Sequence, residues 1–156
     1  SPRENREIPP LLYATVYRLK ADFPALRIIL NGGIDTLTAV GAHLAAGVDG
    51  VMVGRKAYAD PYWLTDVESA FLDRTRTWQR PSRAAIVRAM ADYAEQEMRE
   101  GVRLHHITRH MLGLYHGQPG ARAWRRFLST RGGSADAGPE LLLESLQMVA
   151  GEDAGF

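Results

Sequence analysis

The chain has 156 residues, of which 46% are hydrophobic and 24% charged, with a formal net charge of +1; that is room for one ordinary globular domain, or part of a larger one. No apolar run approaches the roughly 20 residues of a membrane-spanning helix, no basic-then-apolar leader opens the chain, and the expected compartment is the cytosol. Zero cysteines exclude a disulfide framework, a thiolate metal site and a cysteine nucleophile within these residues.

In chain order, "SPRENREIPP" reads as a loop. It opens on Ser1 rather than methionine, and the expectation is that an N-terminal portion precedes it. Residues 11–23 have helical spacing, with Leu12, Val16 and Leu19 on one side and Arg18, Lys20 and Asp22 on the other; Pro24 stops the helix. "ALRIILNGGI" is a short apolar run closed by Asn31-Gly32-Gly33, a buried strand with a glycine turn. Residues 36–46 form a second helix, apolar at Leu37, Val40 and Leu44, with Gly47 as its C-cap. "VDGVMVG" is a second buried strand. Helix, strand, helix, strand at this spacing is the βαβ pattern of a parallel sheet.

After Arg55 the alternation ends. Helices are predicted over 61–72, from Pro81-Ser82 to about residue 100 (apolar at Ile86, Val87, Met90, Tyr93 and Met98), over 104–115, 121–129 and 139–149. The fold class read from this order is α/β: the tail of an α/β domain over about 1–75, a small all-helical domain over 80–150, and a tail at 151–156.

Both strands end in glycine at their C-terminal ends, the edge that carries ligands in parallel α/β folds. Gly32 and Gly33, lacking a Cβ, could bring backbone N–H groups close to a phosphate, with a helix N-terminus behind them. Gly54 would do the same one strand along, and Arg55 could fork onto phosphate oxygens. In a β/α barrel the loops after the last two strands commonly build a phosphate site. Tight turns alone would also account for the glycines, and spacing leaves both readings open.

Between residues 101 and 135 there is no Asp or Glu, while Arg103, Arg109, Arg122, Arg125, Arg126 and Arg131 all fall there, with His105, His106, His110 and His116. On 104–115 the residues Leu104, Ile107, Met111 and Leu114 form the inward stripe, leaving His106, Arg109, His110 and Gly113 outward. On 121–129 Ala121, Trp124, Phe127 and Leu128 point in, and Arg122, Arg125 and Ser129 point out. Two neighbouring basic faces on one surface suit a polyanion backbone better than an ordinary solvated face of mixed sign. The histidines include an i, i+4 pair but no carboxylate or thiolate completes a metal set, so no metal is expected. Tyr13, Tyr17, Trp63, Trp78 and Trp124 read as packing residues.

Four ordered motifs, "SPRENREIPPL", "NGGI", "VDGVMVGR.AY..PY" and "HHITRHMLGL..GQPGARAWRR", resemble the tRNA-dihydrouridine synthases, and within them the DusA subfamily, over nearly the whole chain. The resemblance implies an FMN-containing TIM (β/α)8 barrel followed by a helical domain that helps hold tRNA. It implies reduction of the C5–C6 double bond of a D-loop uridine, U20 or U20a, with NADPH reducing the flavin, in a monomeric parent enzyme. Asn31, Gly32 and Gly33 match the turn after the seventh strand, and Gly54 and Arg55 the turn after the eighth, both FMN-binding in the family. Arg3 and Arg6 match a loop that reaches tRNA, and Arg122 and Arg125 match helical-domain positions that contact it.

The departures from the family are as informative. Its general acid is a cysteine in the first half of the barrel, and this chain has none, so the catalytic residue is expected upstream of Ser1. The chain on its own is therefore expected to be inactive, with the bare edge and apolar surface of a partial barrel and a tendency to aggregate. Two other readings compete: another barrel enzyme with a phosphate-bearing ligand, and a non-catalytic RNA-binding remnant.

Overall fold

The computed structural model describes residues 10–72 and 77–149. The chain divides into two compact units, Ser1–Lys56 and Ala57–Phe156. The first contains α1 (Tyr13–Asp22), β1 (Ile29–Asn31), α2 (Leu37–Ala45) and β2 (Gly50–Met52), and α3 (Arg55–Ala59) carries the boundary.

β1 and β2 pair in parallel, with Ile29 opposite Gly50, Leu30 opposite Val51 and Asn31 opposite Met52. Residues paired across a sheet share a face, so Leu30 and Val51 point one way and Ile29, Gly50, Asn31 and Met52 the other. Leu30 is 1% exposed, and Ile34, Val40 and Val48 are buried in the same unit. Ile29 and Met52 stand 55% and 54% exposed. The strands expected to be buried are so only on the Leu30 side among the described residues, and the exposed Ile29 and Met52 are the apolar surface expected of a partial barrel. The α2 helix starts on Thr36, whose hydroxyl accepts from the Ala39 N–H at 3.1 Å.

No residue of α1 is fully buried; polar contacts fasten it. Tyr17 Oη shares a 2.6 Å hydrogen bond with Nδ1 of the buried His43 on α2. Lys20, read as an outward residue from its spacing, is instead drawn in. Its ammonium donates to the carbonyls of Pro24 and Leu26 and lies 2.8 Å from Asp49 Oδ2. Asp49 also accepts the Ile28 N–H at 2.8 Å. One carboxylate therefore joins the end of α1 to the starts of β1 and β2, where four polar groups would otherwise compete for water.

In the second unit the described residues form helices and turns. The run 61–72 is helical but changes pitch, from a tight 3-10 turn (Pro61–Trp63) through α4 (Leu64–Val67) to a widened π-type turn (Glu68–Leu72). The core lies among α5 (Arg83–Arg99), α6 (Leu104–Thr108), α7 (Ala121–Arg131) and α8 (Glu140–Ser145), with Leu146–Val149 closing as a 3-10 turn. Ser82 caps α5 by accepting the Ala85 N–H. Alanines rather than large side chains form much of the buried face of α5: Ala84, Ala91 and Ala94 join Val87 inside, while Tyr93 is exposed. Small residues let the neighbouring helices approach closely.

Trp124 of α7 is fully buried; its indole N–H donates to the Met111 carbonyl at 3.3 Å and its ring lies 4.7 Å from that of Tyr115. Arg83 is pinned in the same region, donating to the Leu114 carbonyl and standing 3.8 Å from the centre of the Tyr62 ring.

The helix expected over 104–115 is shorter than its spacing implied. It ends at Thr108, and the next residues run as successive three-residue turns, with the N–H of Met111, Leu114 and His116 bonded to the carbonyls of Thr108, Met111 and Gly113. The pairs 104/107 and 111/114 are three residues apart and share a side in either geometry, which is why the periodicity could not separate the two; all four are buried. Gly113, expected outward, is half-buried against the Ala59 carbonyl, where an added Cβ would collide with that oxygen.

Gly113→Ala should destabilise the second unit by about 1–3 kcal/mol, the usual cost of overpacking against backbone that cannot move aside, read as a shift in denaturation midpoint. Asp49 gives a pH-dependent prediction. The hydrogen bond from Lys20, followed by that from the Ile28 N–H, lowers its pKa from the ordinary 3.8. A lowered native pKa contributes stability in full above the unfolded value and loses it as pH falls through the native one. Asp49→Asn should therefore lower the melting temperature near neutrality and flatten its fall below about pH 4; parallel acid limbs in thermal melts would contradict the clamp.

Candidate functional site

The register of β1 and β2 brings both glycine turns to the same edge of the sheet. A cavity of about 690 Å³ opens there, lined by Asn31, Gly32, Gly33, Ile34, Asp35, Met52, Gly54, Arg55 and Lys56. Gly32, Gly33, Gly54 and Arg55, which the spacing marks, and Asn31, which the family resemblance adds, all border this one space. Arg55 is exposed and makes no ion pair with any described residue. Asp35 brings the one carboxylate, against Arg55 and Lys56, so the lining carries a net positive charge.

The glycines are there for different reasons. Gly32 and Gly33 have φ of +133° and +62°, a region side-chain-bearing residues rarely adopt. The Leu11 side chain also fills the space a Cβ would need, at 2.8 Å for Gly32 and 2.9 Å for Gly33. Gly54 has neither constraint: its φ is not positive and nothing lies within 4 Å of the place its Cβ would take. Packing among the described residues does not require glycine at 54, whereas a ligand approaching the backbone would.

Among the described residues no partner is found for the Gly33 N–H. Exposed N–H groups beside a guanidinium form a donor set suited to an anion. Sequence reasoning missed Lys56, Asp35, Ile34 and Met52. Lys56 was signalled by its place next to Arg55, and Met52 only by the register.

In the second unit Arg122 and Arg125 are exposed and line a depression of about 820 Å³ with Arg126, Phe127, Gln118 and Met148. The inward positions of α7 hold the core, with Trp124 and Leu128 buried, so the arginines are left on the solvent side. Arg126, which the helical spacing did not mark as outward, belongs with them. Arg103, His105 and Arg109 border a second depression with Thr108 and, from α7, Leu128 and Ser129. His105 and His106 rings lie 3.9 Å apart. Desolvation, then the charges of His106, Arg103 and Arg109, lower the His105 pKa and so favour its neutral form. Arg3 and Arg6 lie outside the described residues. Among the described residues no group of three or more His, Asp or Glu is placed to hold a metal ion, and no helix is long and apolar enough to cross a membrane.

The sequence profile of the dihydrouridine synthase (Dus) family matches residues 1–150. This chain belongs to that family. Similar curated Dus proteins include the tRNA-dihydrouridine(20/20a) synthase of Shewanella oneidensis, 50% identical over 149 residues, which cover 96% of this chain and 44% of that protein. The enzyme of the same name from Escherichia coli K12 is 51% identical over 150 residues, covering 96% and 43%. That of Synechocystis is 50% identical over 147 residues, covering 94% and 43%. The chain thus spans less than half the length of the Dus proteins it matches, and the cavity and the arginine face both fall within the matched residues.

Proposed function

We propose that this chain supplies the phosphate end of the flavin site and a tRNA-contacting surface in a tRNA-dihydrouridine synthase that reduces D-loop uridines 20 and 20a. One observation carries the reading: two glycine turns, at the ends of adjacent parallel strands, bound a single cavity together with Arg55. On this reading β1 and β2 are the last two strands of a (β/α)8 barrel. The remaining strands would cover the bare face of Ile29 and Met52, as parallel sheets require. The helices after the barrel form a tRNA-binding domain, and the cytoplasm, where tRNA is modified, is the fitting compartment.

The residues present fit FMN. The unpartnered Gly33 N–H, the Asn31 amide and the forked Arg55 guanidinium are donors for a terminal phosphate, and the absent Cβ at Gly54 leaves room for it. Bound FMN supplies the reducing chemistry at the uridine C5–C6 bond, drawing on NADPH. The chain's own residues would hold and orient it: the Arg55 guanidinium would bind its phosphate, and the glycine turns would let backbone donors approach. Arg122, Arg125 and Arg126 engage RNA phosphates, and since charge contacts carry no base information, they position the tRNA rather than read it.

Arg55→Ala in the full-length protein should weaken FMN binding about tenfold or more, the usual scale for losing a charge-assisted bidentate contact. Flavin absorbance retained in full after purification would count against its role. Arg122→Ala with Arg125→Ala should weaken tRNA binding and make log K against log salt shallower by about 1–2. An unchanged slope would defeat the arginine-face assignment, and tRNA binding without any flavin binding would favour the RNA-binding remnant.

A further inference from the structure

We propose that Tyr13 is a positioning residue for the anion site: its hydroxyl fixes the orientation of the Gly32–Gly33 peptide so that the Gly33 N–H is presented to the cavity. The inference rests on the phosphate reading above and adds a residue that lines no part of the cavity.

Tyr13 Oη donates to the Gly32 carbonyl at 2.7 Å, across 19 residues of chain. In a trans peptide the C=O and the following N–H point in opposite directions, and among the described residues no peptide bond is cis. Holding the Gly32 oxygen toward Tyr13 therefore turns the Gly33 N–H away from Tyr13. Neither Tyr13 nor Leu11 borders the cavity, whereas Gly32 and Gly33 do, so the opposite side is the cavity side. The Gly33 N–H has no partner among the described residues, as a donor reserved for a ligand would be.

A Gly-Gly peptide needs such a restraint. With no Cβ on either side, both orientations of its plane are sterically open, and a turn free to flip would present a donor in one state and an acceptor in the other. An anion is attracted by the first and repelled by the second.

Tyr13 is itself held. Its ring stands edge-on to His43 at 4.6 Å between centroids, and His43 is buried and hydrogen-bonded to Tyr17. The chain Tyr17, His43, Tyr13, Gly32 thus runs from the α1–α2 contact to the anion turn. Its members act only through the peptide they orient.

The test compares FMN with riboflavin, which carries the same ring system and no phosphate. The full-length protein, stripped of cofactor, is titrated with each by fluorescence quenching, as wild type, Tyr13→Phe and Arg55→Ala. Tyr13→Phe keeps the ring against His43 and removes only the donor. It should weaken FMN about three- to tenfold, the range of one hydrogen bond, while riboflavin affinity stays within about twofold. Equal losses for both ligands would mean a merely structural role, and no loss for either would mean that the turn needs no restraint; each overturns the inference. Arg55→Ala separates the two levels. If it erases the preference for FMN while Tyr13→Phe does not, the phosphate site stands and the Tyr13 role falls. If neither variant touches the preference, the phosphate reading falls first.

Discussion

The parallel pairing of β1 with β2 is the constraint on which the candidate site depends. Parallel strands start and finish at the same ends, so two turns that follow them in sequence must emerge side by side. The observed register, with Asn31 beside Met52, turns that general rule into a particular arrangement: the glycine turn at 32–33 and the one at Gly54 open into one cavity. An antiparallel pair of the same sequences would have sent Arg55 to the other end of the sheet, far from Gly33. The clamp of Lys20 and Asp49 works at the opposite end of the same pair, tying the strand starts to α1 and so keeping the register from which the cavity follows.

A division of labour runs through this first unit. Apolar packing is modest, resting on Leu30, Ile34, Val40 and Val48, and α1 contributes no fully buried residue. Polar links supply much of the remaining fastening, joining Tyr17 to His43, Tyr13 to Gly32 and Lys20 to Asp49. Such links are directional, unlike hydrophobic contact, and can set the orientation of a peptide plane as well as the position of a helix. The bare apolar face of the sheet, with Ile29 and Met52, is what a parallel sheet ordinarily keeps covered.

The second unit solves a different problem. It must bury Trp124 and a set of aliphatic residues while keeping six arginines of an acid-free stretch in water. The helical period of α7 does both, since Trp124 and Leu128 fall on one side and Arg122, Arg125 and Arg126 on the rest. Arginine suits the outer face because its long stem can lie along apolar neighbours such as Phe127 while the guanidinium stays solvated. The result is a concentrated positive face that costs little in desolvation and is open to a polyanion.

What the sequence determined by itself were the features written in neighbouring residues: the helix–strand–helix–strand order up to Gly54, the glycines closing both strands, and the sides of α7 that hold Trp124 and Leu128 inward and Arg122 and Arg125 outward. These follow from local rules, since a glycine turn or a helical period is complete within a few residues. The tertiary structure decided what depends on residues far apart in the chain. It set the strand register, drew Lys20 inward, packed Gly113 on Ala59, broke the run after Thr108 into three-residue turns that share its apolar spacing, and brought Tyr13 to Gly32. A hydroxyl that meets a carbonyl 19 positions away leaves no periodic trace, because its partner is selected by the packing of α1 on α2 rather than by any pattern along the chain.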